Sequence, residues 1–309
     1  MSNEKFRLVT RSDFDGLICA VLLKELDLID EIKFVHPKDM QDGKIKITNN
    51  DITTNLPYVE GVYLAFDHHL SEELRNEKKD NHLINIDAPS AARVVYNYYG
   101  GVDRFSFRWN EMMDAVDKAD SAQFSQEDVL NPNGWVLMNF LMDARTGLGR
   151  FKNFTVSNYQ LMMALIDYCK DHGIHDVLKR PDVIERVTLY KEHEKAAKAQ
   201  IKRCATVHNN LVILDLRNES SIYAVNRFMI YALFPECNIS IHVMWGLKQQ
   251  NTVFAIGKSI LDRSSKTNIS QLCLHYEGGG HINAGTCQIE NEKSAKILIE
   301  IIAKINRDG

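Results

Sequence analysis

The sequence predicts an α/β protein: an N-terminal, doubly wound and mostly parallel sheet, a long linker helix, and a smaller α/β domain. Short β-rich runs alternate with apolar helical runs in the first hundred residues, a pattern typical of a parallel sheet covered by helices. A stretch at 182–204 has helical composition with charges on all sides, which is typical of a helix that bridges two domains. Acidic and histidine residues follow two of the predicted strands, where open parallel sheets bind their ligands.

The composition is that of a soluble globular protein without a strong charge field. The chain has 309 residues, a length that favours two domains, and 45% of them are hydrophobic and 25% charged. The formal net charge of −4 argues against duplex DNA as a partner, because duplex binding needs a basic surface. An anionic substrate must therefore be met by a local positive site.

The N-terminus and the cysteines bear on where the protein works. The N-terminus lacks the apolar segment of a secretory signal, and no run approaches the 18 apolar residues of a membrane span. The six cysteines are scattered without a C-x-x-C pair, which favours reduced thiols. We therefore expect a cytoplasmic protein that has no membrane partner.

The apolar patterns divide the chain into a first domain at 1–182, a linker helix at 183–204 and a second domain at 205–309. The end of the first domain, from about 108 to 178, reads as helical. In the rest of the first domain we expect strands at 6–10, 31–37, 43–48, 51–55, 61–69 and 82–87, and helices at 16–29 and 90–99. The segments at 211–216, 224–234, 238–245 and 252–260 give the second domain its α/β pattern.

Three clusters of polar residues could hold a metal ion. Asp13 and Asp15 follow the first predicted strand, and the sequence "FDHH" places an aspartate and two histidines at 67–69. The helical sequence "DKAD" adds Asp117 and Asp120. Carboxylates with one or two imidazoles suit manganese or magnesium better than a structural zinc, which prefers cysteine and histidine.

A glycine run near the C-terminus could bind phosphate. The residues are Gly278, Gly279, Gly280 and His281, and the sequence "INAG" that follows reads as the start of a helix built from small residues. Backbone N–H groups in such a glycine segment before a helix form a concavity that suits an anion.

These motifs together resemble the DHH phosphoesterase superfamily in its two-domain form with a DHHA1 domain. "SDFDG", "FDHH", "KADS" and "EGGGHINAG" stand in the family's order, and the resemblance covers nearly the whole chain. The superfamily includes oligoribonucleases, RecJ-like exonucleases, dinucleotide phosphodiesterases and exopolyphosphatase-related proteins. The resemblance implies a metal centre, usually of two manganese ions, that hydrolyses a phosphodiester or a phosphoanhydride.

The resemblance also implies roles for individual residues of the first domain. Four of them correspond to metal ligands: Asp13, Asp15, His68 and Asp120, with Asp117 as a less favoured substitute for Asp120. Two more correspond to residues at the reacting phosphate, namely His69 as a phosphate contact and Asp67 as the carboxylate that orients a histidine.

Two positions depart from the family pattern. Related motifs place a histidine or an acid where this chain has Arg11, and an aspartate where it has Asn55. Arginine stays protonated and cannot ligate a metal, and an amide cannot supply a bridging charge. We therefore expect one strong Mn²⁺ (or Mg²⁺) site and a second site that is weak or absent, with Arg11 supplying positive charge to the substrate phosphate.

Two alternatives to this interpretation stay open. Arg11 could form a salt bridge that neutralises Asp13 or have another structural role. The second metal site could instead be completed by His36 and Asp39, which follow another predicted strand.

The second domain is expected to bind the substrate. The family resemblance assigns this role to Lys258 and Ser259 of the sequence "GKS" and to the glycine run with His281. Arg145 is a further candidate, although a structural pair with Asp143 is as good an interpretation.

The predicted function is metal-dependent hydrolysis of short oligoribonucleotides or linear dinucleotides, such as pGpG or pApA, to mononucleotides. An exopolyphosphatase and a nucleotide-binding regulator with weakened catalysis are the alternatives. The expected partner is thus a small anionic substrate (a dinucleotide, a short RNA or polyphosphate) and not duplex DNA, and the sequence leaves a homodimer open.

Overall fold

A computed structural model describes residues 5–309 of the chain, which divide into two compact units, each with its own sheet. None of the described helices is long and apolar enough to cross a membrane. The first unit comprises Met1–Gln123 (described from Lys5 onward), Pro132–Ala144 and Leu148–Thr188, and the second comprises Phe124–Asn131, Arg145–Gly147 and Leu189–Gly309.

The sheet of the first unit is fully parallel among the described residues. Its strands are β1 (Phe6–Thr10), β2 (Ile29–Phe34), β3 (Asp51–Thr54), β4 (Leu64–Asp67) and β5 (His82–Ile84), in the spatial order β2-β1-β3-β4-β5. Because the order reverses direction after β2, the sheet is doubly wound, and the predicted fold class is confirmed.

Helices surround this sheet and continue through the rest of the chain. The first of them, α1, is buried on nearly every side because its residues 17–23 are apolar throughout. The helices are α1 (Phe14–Glu25), α2 (Pro37–Gln41), α3 (Leu70–Arg75), α4 (Ala91–Tyr98), α5 (Asn110–Asp120), α6 (Gln126–Leu130), α7 (Gly134–Met142), α8 (Asn158–Tyr168), α9 (Ile174–Val177), α10 (Pro181–Cys204), α11 (Met229–Leu233), α12 (Ile269–His275) and α13 (Asn291–Asp308).

The predicted strand at 43–48 is wrong, because this segment pairs with no strand of the described chain. Its apolar side chains Ile45 and Ile47 instead pack on a small core cluster. Its backbone is held by side chains: Arg7 donates to the carbonyl of residue 46, and Asp51 accepts from the N–H of residue 48. The alternating apolar pattern therefore reflects packing against the core rather than sheet pairing.

The sheet of the second unit is mixed. Its strands are β6 (Ala205–His208), β7 (Leu211–Asp215), β8 (Ile239–Trp245), β9 (Thr252–Lys258), β10 (Gly279–His281) and β11 (Ala284–Ile289), in the order β10-β11-β9-β8-β7-β6. Only the β7–β8 pair is parallel among these strands. Aliphatic residues of β7, β8 and β9 pack with α12 and α13 to form the core of this unit.

The expected helix start at "INAG" is wrong, because the glycine run forms a hairpin. Gly279–His281 is an antiparallel partner of β11, and the turn between them contains residues 282 and 283. A Cβ at Gly280 would come within 2.3 Å of the carbonyl oxygen of Ala284, and the φ of Gly280 is 152°. Glycine is thus needed here for close packing of two strands, not for a turn into a helix.

The long helix at 182–204 is present as α10. The division between the two units falls inside it, after Thr188, and the proposed domain limits of 1–182 and 205–309 remain a prediction. All six cysteines are free thiols in the structure.

Candidate metal centre

Asp15 occupies the first turn of α1 and is buried, with 2% of its surface exposed. Its two carboxylate oxygens accept hydrogen bonds from the backbone N–H groups of Ala91 (3.1 Å) and Ala92 (2.8 Å). These donors are the first residues of α4, so the positive end of that helix faces the carboxylate. The Asp15 side chain is therefore fixed in place before any ligand arrives.

Burial raises the pKa of the Asp15 carboxyl well above its usual range, and the negative charges of Asp120 and Asp13 raise it further, against the lowering effect of the N–H donor of Ala92. The charge of His68 lowers this pKa, and a bound cation would favour the carboxylate forms further. The protonation chemistry of this site therefore fits a bound metal ion.

His68 follows β4 and is oriented by a backbone carbonyl. Its Nδ1 lies 3.2 Å from the carbonyl oxygen of Ala88, and its Nε2 lies 2.8 Å from Oδ2 of Asp120. A proton on Nδ1 directed at the carbonyl leaves Nε2 available as a metal ligand, which is the usual arrangement of ligating histidines.

Ligand atoms of Asp15, His68 and Asp120 all lie within 4.8 Å of one another. Burial lowers the pKa of His68, but the hydrogen bond to Asp120 and the charges of Asp120, Asp15 and Asp67 outweigh it and raise this pKa to about 9. In the metal-free protein Nε2 therefore carries a proton, which a bound ion would replace. Two carboxylate oxygens and one imidazole nitrogen form a donor set that suits manganese or magnesium. The residues present thus fit the metal that the sequence predicts.

Asp67 and His69 form a second pair at the end of β4. Oδ1 of Asp67 lies 2.6 Å from Nδ1 of His69 and also accepts from the backbone N–H groups of His68 (2.7 Å) and His69 (3.0 Å). Asp67 is buried, whereas the side chain of His69 is 44% exposed. The carboxylate therefore orients an imidazole whose other nitrogen, Nε2, is available to a ligand.

Arg11 contacts Asp13, with Nε of Arg11 3.0 Å from Oδ2 of Asp13. Asp13 is also the N-cap of α1, since its side chain accepts from the N–H of Gly16 at 3.0 Å. Two groups of described residues could hold a metal ion: Asp15 with His68 and Asp120, and Asp67 with His68 and His69. Asp13 belongs to neither group. The salt bridge between Arg11 and Asp13 that the sequence left open is therefore present. The compact set of candidate metal ligands is Asp15, His68 and Asp120.

Asn55 follows β3 and is buried, with 2% of its surface exposed. Its backbone is left-handed, with a φ of 55°, a conformation that asparagine tolerates better than most residues. Its N–H donates to the carbonyl of Phe66 at 3.0 Å. Neither atom of its side-chain amide has a hydrogen-bond partner among the described residues.

The substitutes considered for the metal ligands have other partners. Asp117 accepts hydrogen bonds from Oγ of Ser90 (2.7 Å) and Nε of Arg93 (2.7 Å). His36 is the N-cap of α2, where its Nδ1 accepts from the N–H of residue 38, and Asp39 pairs with residue 44 at 3.0 Å. These contacts give all three side chains structural roles.

In the second unit, Lys258 and Ser259 lie at the end of β9. The Nζ of Lys258 donates to the carbonyl oxygen of Ser265 at 3.0 Å. The Oγ of Ser259, which is buried, accepts from the N–H groups of Leu261 and Asp262. The hydroxyl of Ser259 therefore stabilises the turn after β9, and Lys258 keeps a cationic group close to that turn.

The glycine run forms an edge of the second sheet. Gly279, Gly280 and His281 are exposed along β10, and Nδ1 of His281 accepts from the N–H of Asn283 at 3.2 Å. Arg145 is exposed on a short 3₁₀ turn in the same unit. An exposed edge strand of glycines offers backbone N–H groups to a ligand without side chains in the way.

The sequence-based prediction missed Ala88, Ala91 and Ala92, which hold the side chains of His68 and Asp15 in place. They act through backbone carbonyl and N–H groups, which leave no signature in residue type. Ser90 is the one available signal, because a serine before an apolar run marks a helix N-terminus, and a helix N-terminus implies free N–H donors.

Comparisons with known proteins give the chain a class. It is 61% identical to the pGpG-specific phosphodiesterase PggH from Vibrio cholerae over 99% of this chain and 100% of that one, with a TM-score of 0.88. RecJ from Thermus thermophilus, solved with Mn²⁺, is 12% identical and superposes with a TM-score of 0.55. That match covers 99% of this chain and 52% of the RecJ chain. CDC45 from Entamoeba histolytica is 8% identical, with a TM-score of 0.52, and the match covers 98% of this chain and 96% of the CDC45 chain.

The chain therefore belongs to the DHH phosphoesterase superfamily, in the two-domain form with a DHHA1 domain, and the predicted family is confirmed. RecJ and CDC45 share its fold. No protein-family model matches the sequence, and a search of curated proteins gave no match.

Proposed function

We propose that this protein is a metal-dependent phosphodiesterase that hydrolyses pGpG and similar short, linear nucleotides to mononucleotides. The observation that carries the proposal is the 61% identity, over 99% of the chain, to a pGpG-specific phosphodiesterase. The compact set of Asp15, His68 and Asp120 supports it, because these three residues provide the ligands that a hydrolytic metal centre needs.

The proposed cofactor is Mn²⁺ or Mg²⁺, held by Asp15, His68 and Asp120. When bound, such an ion acidifies water and neutralises charge on a scissile phosphate. A second site would need either Asp13, which Arg11 contacts at 3.0 Å, or the group of Asp67, His68 and His69, which shares His68 with the first site. A guanidinium repels a second cation, so we propose one strong site and a second site that is weak or absent.

Arg11 and His69 have proposed roles at the phosphate. Arg11 is permanently charged and can bind two phosphate oxygens at once. His69 presents Nε2 to the scissile phosphate, and Asp67 holds the ring through Nδ1 at 2.6 Å. The Asp67 carboxylate orients the ring, so the ring can donate to a phosphate oxygen or carry a proton during the reaction.

Substrate binding in the second unit is proposed for the exposed residues of β10 and its surroundings. Backbone N–H groups of Gly279 and Gly280 with the side chain of His281 would bind a phosphate or a nucleobase edge. Gly278 would act only through the conformation of the backbone, because its N–H donates to the carbonyl of Cys273 at 2.8 Å. Lys258 and Arg145 would add positive charge for the terminal phosphate. Ser259 would contribute through the shape of the turn that its hydroxyl stabilises.

The proposal is tested by incubating the purified protein with Mn²⁺ and a panel of substrates, with products separated by chromatography. The panel is pGpG, pApA, cyclic dinucleotides, a short RNA and polyphosphate. We expect cleavage of pGpG to mononucleotides, and loss of activity when a chelator removes the ion. Release of phosphate from polyphosphate, with pGpG intact, would indicate an exopolyphosphatase. Tight binding of pGpG without turnover on any substrate would indicate a regulator.

A further inference from the structure

Asn55 carries a buried amide whose hydrogen-bonding capacity is unused. It is 2% exposed, and neither Oδ1 nor Nδ2 has a partner among the described residues. Buried amides of this kind are nearly always paired, so the side chain of Asn55 is expected to bind a small group that enters the site.

The register of the sheet places Asn55 in one row with residues of the proposed metal centre. Thr10 of β1 pairs with Thr54 of β3, and Thr54 pairs with Phe66 of β4. Arg11, Asn55 and Asp67 are therefore the next residues on three neighbouring strands. Asn55 lies in the middle of this row, between the loop that carries Arg11, Asp13 and Asp15 and the sequence Asp67–His69.

The backbone beneath the amide is firmly held. The N–H of Asn55 donates to the carbonyl of Phe66 at 3.0 Å, and the hydroxyl of Thr54 lies 2.7 Å from that of Thr10, which in turn donates to the carbonyl of Thr54 at 3.2 Å. The left-handed φ of 55° at Asn55 ends β3 and fixes the direction in which the side chain leaves the sheet. The backbone is thus preorganised, and only the Asn55 side chain has to turn for its buried amide to reach a ligand.

We propose that the Asn55 amide orients the water molecule that attacks the scissile phosphorus, with Oδ1 accepting a hydrogen bond from that water. This inference rests on the proposed function. The water oxygen forms a bond to phosphorus, and the bond from phosphorus to the leaving nucleoside oxygen breaks. One water proton leaves to His69, and the leaving oxygen takes a proton from solvent. Asn55 takes no proton, because an amide does not titrate in this range.

A neutral residue suits this position because Arg11 is its neighbour. A carboxylate at position 55 would pair with the guanidinium and draw it away from the phosphate. The amide accepts a hydrogen bond from water and adds no second carboxylate to Asp13, which Arg11 already contacts at 3.0 Å. Arg11 and Asn55 thus act as a matched pair in which one residue binds the anion and the other orients the nucleophile.

The variant Asn55→Gly tests this role, because glycine adopts the left-handed backbone and removes only the amide. We expect the kcat for pGpG to fall about 100-fold with KM within about twofold, since misplacing a reacting group costs rate rather than binding. The bound Mn²⁺, counted by mass spectrometry, stays the same, and the pH profile keeps its shape. Asn49→Gly, which removes an exposed amide before the same strand, is the matched control and changes neither constant.

A second variant keeps the test valid if the glycine variant does not fold. Asn55→Asp preserves the side-chain volume and also tolerates the left-handed backbone, and we expect it to lower kcat as well. A wild-type kcat in both variants, or a loss of bound metal in Asn55→Gly, would overturn the inference and leave the proposed function intact. A wild-type chain that does not cleave pGpG would overturn the proposed function itself.

Discussion

The Nε2 atom of His68 lies 2.8 Å from Oδ2 of Asp120, although the two residues are far apart in the sequence. One follows a strand of the parallel sheet and the other ends α5. Their contact, with the buried Asp15 beside them, forms the set of atoms on which the proposed metal centre depends.

Asp120→Asn is expected to weaken Mn²⁺ binding and to lower turnover of pGpG by at least about 100-fold, because an amide is a poor ligand for a hard cation. Asp117→Asn is the matched variant on the same helix. It loses contacts with Ser90 and Arg93, so we expect it to lower the melting temperature while the metal remains bound. Metal titration by calorimetry and thermal unfolding measure both effects. If only Asp117→Asn loses the metal, Asp117 is the ligand and Asp120 has the structural role.

Asp15→Asn is expected to stabilise the metal-free protein and to abolish strong metal binding. The folded-state pKa of Asp15 lies above its unfolded value, chiefly through burial, so its ionisation opposes folding once the pH exceeds the unfolded value. The amide removes that charge, and its single oxygen can still accept from one of the two N–H groups at the start of α4, while the other N–H loses its acceptor. A stabilisation of about 1–3 kcal/mol is the expected scale. Thermal unfolding in a chelator tests it, with the exposed Asp114→Asn as control. A lower melting temperature than wild type would contradict this account.

Arg11→Gln is expected to raise KM for pGpG and to lower kcat/KM about 10- to 100-fold, because a hydrogen bond to a charged phosphate contributes about 1.5–3 kcal/mol. The amount of Mn²⁺ bound should not fall, since arginine is not a ligand. Arg11→Lys keeps the charge and should retain part of the affinity. Steady-state kinetics with unchanged constants in Arg11→Gln would show that the residue serves only to neutralise Asp13.

Gly280→Ala is expected to disrupt the β10–β11 hairpin, whereas Gly279→Ala is expected to preserve it. A Cβ at Gly280 would come within 2.3 Å of the carbonyl oxygen of Ala284, but a Cβ at Gly279 has no heavy atom within 4 Å. Hydrogen exchange of β11 amides and the KM for pGpG measure the effects on fold and binding. Equal exchange in the two variants would contradict the packing described for this hairpin.

The strands and the acids at their ends could be predicted from the sequence for a physical reason. Parallel strands bury both faces and read as short apolar runs, and their carboxyl ends share one edge of the sheet. Asp15 and His68 follow two such runs and meet at that edge. The family motifs then added Asp120, which lies on a helix and which periodicity alone could not bring to the site.

The features that could not be predicted from the sequence depend on backbone groups or on tertiary packing. The carbonyl of Ala88 orients His68 and the N–H groups of Ala91 and Ala92 hold Asp15, yet alanine carries no hint of either role. The residues at 43–48 alternate like a strand because they pack against the core. The glycine run looked like a turn into a helix, and only the close contact with β11 reveals a strand.

The number of metal ions tests the central claim most directly. Crystals grown with excess Mn²⁺ would be measured at the manganese absorption edge, where anomalous scattering locates and counts the ions. We expect one fully occupied ion bound by Asp15, His68 and Asp120, with Arg11 still in contact with Asp13. Two fully occupied ions, or an ion bound without Asp15, His68 and Asp120, would contradict the account.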